Sequence, residues 1–196
     1  MFQINFSKII GISIKATQAT RLDKFKLTQQ MCGNCPAYAK RWACPPFNLS
    51  SNKIISDKKF ANLVAIKIKP TKKNLSPRII IDEARIFLDT LFYNLETLHK
   101  DSILLLAGSC ICEQSENCPK QKNLPCIQKD KMRYSLEALG YDVTKISEEL
   151  LNTKILWQTD VQPEYFTLVY CICSDFDISE ETRKNLSNNI TTYNVL

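Results

Sequence analysis

Histidine is nearly missing from this chain, His99 being the single one among 196 residues. Nucleophilic catalysis of the Ser-His or Cys-His type therefore has almost nothing to draw on, and His99, at the end of a helix-patterned stretch, suits the helix dipole better. Glycine is scarce too, with four in all, and neither a GxGxxG nor a P-loop pattern occurs. Phosphate cradling by those loops is excluded. No apolar run approaches the roughly 18 residues of a membrane span. Met1-Phe2-Gln3-Ile4-Asn5 also lacks the charged and apolar regions of a leader. The expectation is a soluble, cytoplasmic protein with no membrane association. Acidic residues are almost absent from the first 75 positions, where Asp23 and Asp57 face 14 lysines and arginines, a balance of +12. Residues 76–196 carry −6. Such a basic third attracts an anionic ligand, a partner or nucleic acid, or else forms a solvated lysine-rich face. Lysine predominates and no RNP-type or helix-turn-helix pattern accompanies it, which disfavours nucleic acid.

What is abundant is cysteine, nine in all, seven of them in two short segments separated by 65 cysteine-free residues. Cytoplasmic thiols stay reduced, so clustered cysteines there read as metal ligands before disulfides. The first segment is C-x2-C-x8-C (Cys32, Cys35, Cys44), and the second is C-x-C-x5-C-x7-C (Cys110, Cys112, Cys118, Cys126). A C-x2-C turn aims two sulfurs at one ion, in zinc knuckles and iron–sulfur loops alike. Cys35-Pro36, Cys44-Pro45 and Cys118-Pro119 favour an iron–sulfur cluster over zinc, because the Cys-Pro step is a feature of ferredoxin-type runs. Seven thiolates exceed one mononuclear site: four can hold a 4Fe-4S cluster while three leave an open position, or the segments hold two sites. Lys40 and Arg41, between ligands, are candidates to bind an anionic ligand or steady a negative cluster, with Tyr38 and Trp42 shielding it from water. Cys171 and Cys173 alternate on a strand and read as buried core.

The rest of the chain reads as one domain, 1–196, of α/β or α+β class. Ile10, Ile12 and Ile14 suggest a half-buried strand over 9–15, and Val64, Ile66 and Ile68 another over 61–69. Ser76-Pro77 starts a helix over 77–100 whose apolar stripe is Ile80, Ala84, Phe87, Leu88, Leu91, Leu95 and Leu98. An apolar run makes a strand over 102–108. Strand, helix and strand form a βαβ unit in a mixed sheet, with parallel neighbouring strands and the second cysteine segment just past a carboxyl end. Further on, Ser135–Leu139 predicts a short helix closed by Gly140, and Thr144 caps another through Leu151. Strands are expected over 155–157 and 165–173, then a helix over 179–186 and a fraying tail.

The stretch Cys32-Gly-Asn-Cys-Pro-Ala-Tyr-Ala-Lys-Arg-Trp-Ala-Cys-Pro-Pro-Phe47 resembles a known family. Gly108-Ser-Cys110, Pro125-Cys126 and Ser135-Leu-Glu-Ala-Leu-Gly-Tyr-Asp-Val143 carry the same resemblance. The family is the predicted cysteine-rich metal-binding proteins of anaerobic bacteria and archaea, a domain of unknown function. The resemblance implies Cys32, Cys35, Cys44, Cys110, Cys118 and Cys126 as ligands. The family pattern has C-x2-C-x2-C where this chain has Cys110, Cys112 and Cys118, and an Arg and a Pro where it has Ile127 and Lys129. The expected function is a redox or electron-transfer iron–sulfur protein serving a redox partner or acting on a small anionic ligand. The alternative is a structural zinc protein whose basic third binds a partner or nucleic acid, and a third reading is metal or cluster delivery.

Overall fold

Residues in the middle of this chain are apolar at successive positions, not alternate ones, so the strands they form must be covered on both faces. The computed structural model describes residues 6–27, 30–47, 54–55, 57–72, 74–110, 112, 117–157, 159 and 161–193. Four strands, β1 (Ser7–Gln18), β2 (Phe60–Pro70), β3 (Ile103–Leu105) and β4 (Phe166–Ser174), make one sheet in the order β1-β2-β4-β3. Among the described residues there are four α-helices: α1 (Gln30–Gly33), α2 (Pro77–Leu98), α3 (Val143–Leu151) and α4 (Glu180–Thr192). The class is α+β.

One face of the sheet carries Val64, Ile66 and Ile68 of β2 with Leu168, Tyr170 and Ile172 of β4, packed under α2 and α4. The other carries Leu63 and Ala65 with Val169, Cys171 and Cys173, packed against α3, the 136–141 segment and a 3-10 helix at Ala19–Phe25. The crossover from β2 through α2 to β3 has the expected order, and β2 and β3 run the same way. They are not neighbours, however: β4 lies between them, antiparallel to both, so every pairing in the sheet is antiparallel. The reason is burial. β4 is apolar on both faces over nearly its whole length and belongs in the interior, whereas a three-residue β3 suits an edge.

Several expected elements shift for local reasons. Ile10 does not share a face with Ile12 and Ile14, because a bulge between Ile9 and Gly11 leaves it unpaired and 43% exposed. Ile9 takes the inward place, opposite Ile68. The stripe of α2 runs through Ile80, Ala84, Leu88, Phe92 and Leu95, while the helix ends at Leu98, itself 78% exposed. The strand expected over 102–108 stops at Leu105, since Leu106 donates to Tyr134 O at 2.9 Å instead of to β4. Ser135–Leu139 makes one helical turn, with Leu139 donating to Ser135 O at 3.2 Å and Gly140 at φ 86° ending it. Asp142, not Thr144, caps α3 by accepting from Lys145 N. Residues 155–157 form no strand. Helix α4 runs past Leu186 to Thr192 because Ile190 and Tyr193 are also buried, Tyr193 meeting Ser7 Oγ at 2.9 Å. Most of the polar connection expected over 48–59, the N-terminal residues 1–5 and the tail beyond Tyr193 lie outside the described residues.

Candidate metal centre

The first cysteine segment is wound by successive tight turns. Cys32 lies in α1, Cys35 N donates to Cys32 O at 3.0 Å, Tyr38 N to Cys35 O at 3.0 Å, and Cys44 N to Arg41 O at 3.0 Å. Ala39, at φ 58°, donates to Pro45 O at 2.7 Å and closes the loop on itself. The second segment begins beyond the carboxyl end of β3. Gly108 turns the chain at φ 78°, and Arg85 of α2 grips the next carbonyl, Ser109 O, at 2.7 Å. After Cys118, a 3-10 helix at Pro119–Lys122 redirects the chain toward Cys126.

Three side chains lace the segments together. Arg41 Nη1 donates to Ser109 Oγ at 2.7 Å and to Cys110 O at 3.1 Å. Trp42 Nε1 donates to Leu124 O at 3.0 Å. Lys120 Nζ reaches back to Cys44 O at 2.7 Å and Pro46 O at 3.3 Å, near the rings of Trp42 and Phe47. Trp42 is thus a strut between the loops.

This lacing brings thiols from both segments within electrostatic reach. Burial pushes the Cys44 thiol up to about 12, with Cys110, Cys35 and Cys32 adding to the rise and Arg41 opposing it. Burial likewise raises Cys110 to about 11, reinforced by Cys112 and Cys118 and again opposed by Arg41. Cys32 is raised by burial and then by Cys35 and Glu137. Lys120 is lowered by burial, while Cys44 and Cys118 pull it upward. Mutually repelling thiolates in a poorly solvated place call for a cation, and a thiophilic metal supplies it as the protons leave. The donor set, soft sulfur throughout, fits zinc or iron–sulfur ligation.

Four thiols of the second segment, Cys110, Cys112, Cys118 and Cys126, line one cavity of about 390 Å³, with Trp42 and Arg85 in its wall. Cys118 is 4% exposed and Cys44 7%. On the other side of Arg85, a second cavity of about 400 Å³ is lined by Cys35, Arg41, Arg78, Asp82, Arg85 and Ser109. Among the described residues no three His, Cys, Asp or Glu side chains are already gathered closely enough to hold an ion. Lys40 is exposed and lines neither cavity. Cys171 and Cys173 are fully buried in the sheet, their sulfurs 3.6 Å apart, as expected of core residues.

Arg85, Ser109, Lys120 and Glu137 escape a reading by cysteine spacing. Arg85 has a legible signal nonetheless: it and Asp89 stand four residues apart, opposite in charge, beside the apolar stripe of α2. A charged pair in that position is buried only if something uses it.

An α+β chain that ties two cysteine loops together through their own flanking cations has the build of a metal-binding protein. Residues 15–171 match the family described as predicted metal-binding protein (DUF2284), and the chain belongs to that family. No curated protein and no solved structure shows a significant match to it.

Proposed function

We propose that this protein is an iron–sulfur protein of redox or electron-transfer function, with Cys110, Cys112, Cys118 and Cys126 around one centre. Cys32, Cys35 and Cys44 form a neighbouring thiol set that leaves a position open. The observation carrying this reading is that four thiols line a single cavity while Cys110 also neighbours Cys44. An iron–sulfur group supplies one-electron chemistry when bound. The chain's own residues do the rest: Trp42 and Pro119 limit water at the cavity wall, and Arg41 and Lys120 offset thiolate charge. The cleft beside Cys35, where Arg41 stands with no carboxylate of its own among the described residues while Arg78 and Arg85 are paired with Asp82 and Asp89, suits a small anionic ligand that the redox centre acts upon.

Anaerobic purification followed by iron, sulfide and zinc analysis and absorption spectroscopy tests the reading. Iron with acid-labile sulfide and a brown charge-transfer absorbance is expected. Stoichiometric zinc without colour would refute it and favour the structural zinc alternative, in which the basic third engages a partner. Cys32→Ser is expected to lose metal, and Cys171→Ser to retain it.

A further inference from the structure

Of the four cysteines lining the larger thiol cavity, Cys110, Cys112 and Cys126 are half-buried and Cys118 alone is sealed, so the cavity lies close under the surface. Its rim is apolar. Ile86 of α2 and Ile127 stand in the wall and remain 53% and 59% exposed. Leu124, whose carbonyl takes the Trp42 N–H, is exposed to a similar degree beside them. Three of the ten large apolar side chains exposed among the described residues thus lie at or beside one opening. A single exposed apolar residue needs no explanation, but a group with a charged border marks a contact surface.

The charge bordering this patch is mostly positive. Residues 117–133 hold Lys120, Lys122, Lys129, Lys131 and Arg133 against Asp130 alone. Lys120 is tied to Cys44 O and Arg133 to Glu96. That leaves Lys122, Lys129 and Lys131, all exposed and without an ion pair among the described residues. Lys131 is itself in the cavity wall, where the one carboxylate, Asp89, is already held by Arg85. Glu113 and Glu116 lie outside the described residues.

We propose that this face docks an acidic one-electron carrier protein, whose apolar centre meets Ile86, Leu124 and Ile127 and whose carboxylates meet Lys122, Lys129 and Lys131. The proposal rests on the redox reading above. One electron leaves the reduced carrier and enters the thiolate-held centre, so the carrier is oxidised and the centre reduced, with no bond made or broken. Such an exchange needs only a small, weak interface that brings two centres close, which half-buried ligands at an opening provide. Lysines at the edge steer an acidic partner, and the apolar middle keeps water out. Nucleic acid suits this face less well, because the exposed apolar groups are aliphatic and bases stack on aromatic ones.

Titration calorimetry of the full chain, as isolated anaerobically with its metal, uses a small acidic ferredoxin as the probe, with a basic cytochrome c beside it. Saturable ferredoxin binding is expected at about 20 mM salt, weakened about tenfold or more at about 300 mM, with cytochrome c not bound. Lys122→Glu combined with Lys129→Glu is expected to weaken ferredoxin about tenfold or more at low salt, whereas the same reversal at Lys8 and Lys15, exposed on β1, leaves it within about twofold. Ile127→Ser should weaken binding at both salt concentrations, since apolar burial is not screened. Circular dichroism and metal content, unchanged in each variant, separate lost docking from lost structure. Stopped-flow mixing with reduced ferredoxin should show the chain being reduced, more slowly in the Lys122/Lys129 variant. Absence of ferredoxin binding at low salt would overturn the proposal, as would equal losses from the two charge reversals, binding without electron transfer, or tighter binding of an RNA oligonucleotide or of phosphatidylserine vesicles. Zinc in place of iron removes the redox reading and this proposal together, whereas an iron–sulfur chain that ignores ferredoxin leaves that reading standing and refutes the docking surface alone.

Discussion

Replacing Arg85 by Met isolates the part of the structure that joins the sheet to the second cysteine loop. Arg85 and Asp89 are 3% and 5% exposed, and the guanidinium meets the carboxylate at 2.9 Å and 3.4 Å. Tyr170, stacked on Phe92 at 4.1 Å, donates to the same carboxylate at 2.7 Å. Burial pushes the Asp89 carboxyl above its ordinary range, with Arg85 and then Tyr170 opposing the rise. Removing Arg85 leaves a buried carboxylate with one neutral donor, a loss of about 3–5 kcal/mol. For a chain of this size that is a fall in Tm of roughly 10 °C. The loss should shrink as pH is lowered. An Asp89 raised still further holds its proton in the native state more tightly than in the unfolded one, so stability is recovered below its folded value and lost as pH rises through it. Pairing Arg85→Met with Asp89→Leu and Tyr170→Phe should restore most of the stability, because an apolar replacement leaves no orphaned charge. Urea unfolding followed by circular dichroism measures all of these variants. A loss below about 1 kcal/mol in the single variant, or a triple variant no better than the single, would refute the reasoning. Metal content gives a separate readout, since the triple variant still lacks the anchor on Ser109 O and should bind metal more weakly even when stable.

Lys120→Met should weaken metal binding by about 10- to 100-fold without unfolding the chain, because it removes the tie to Cys44 O and a cation beside the thiolates; competition with a chromogenic chelator measures it. In the metal-free protein, Cys44 and Cys110 hold their protons to higher pH than the ordinary thiol value of 9.0. The native state therefore binds more protons than the unfolded state above that value, and stability, intact below it, should fall as pH rises toward about 12. Urea midpoints at neutral and alkaline pH check this, and the metal-loaded chain, whose ligand protons have already left, should escape that part of the fall. Ile10→Ser should change stability by no more than about 0.5 kcal/mol, whereas Ile9→Ala should cost about 2 kcal/mol or more; equal effects in thermal unfolding would contradict the bulge that separates them.

Local chemistry made much of this protein legible in advance. The α2 pattern after Ser76-Pro77, the alternation of Val64, Ile66 and Ile68, and the two cysteine segments depend on near neighbours, and near neighbours are what a sequence displays. Burial of Cys171 and Cys173 follows from the same alternation. Elements whose ends are set by distant partners were not legible in this way. The end of β3 depends on Tyr134, the extension of α4 on Ser7, and the facing of Ile10 on a bulge against Lys67 and Ile68. The site divides along the same line. Spacing alone marks seven cysteines as ligand candidates, since thiolates converge through short turns. Tertiary structure brings Cys44 beside Cys110, lays Lys120 of the second segment on the first, and introduces Arg85 and Glu137, which touch the cysteine loops from far along the chain. It also puts β4 between β2 and β3, where both its edges are paired and both faces of a strand that is apolar throughout are covered.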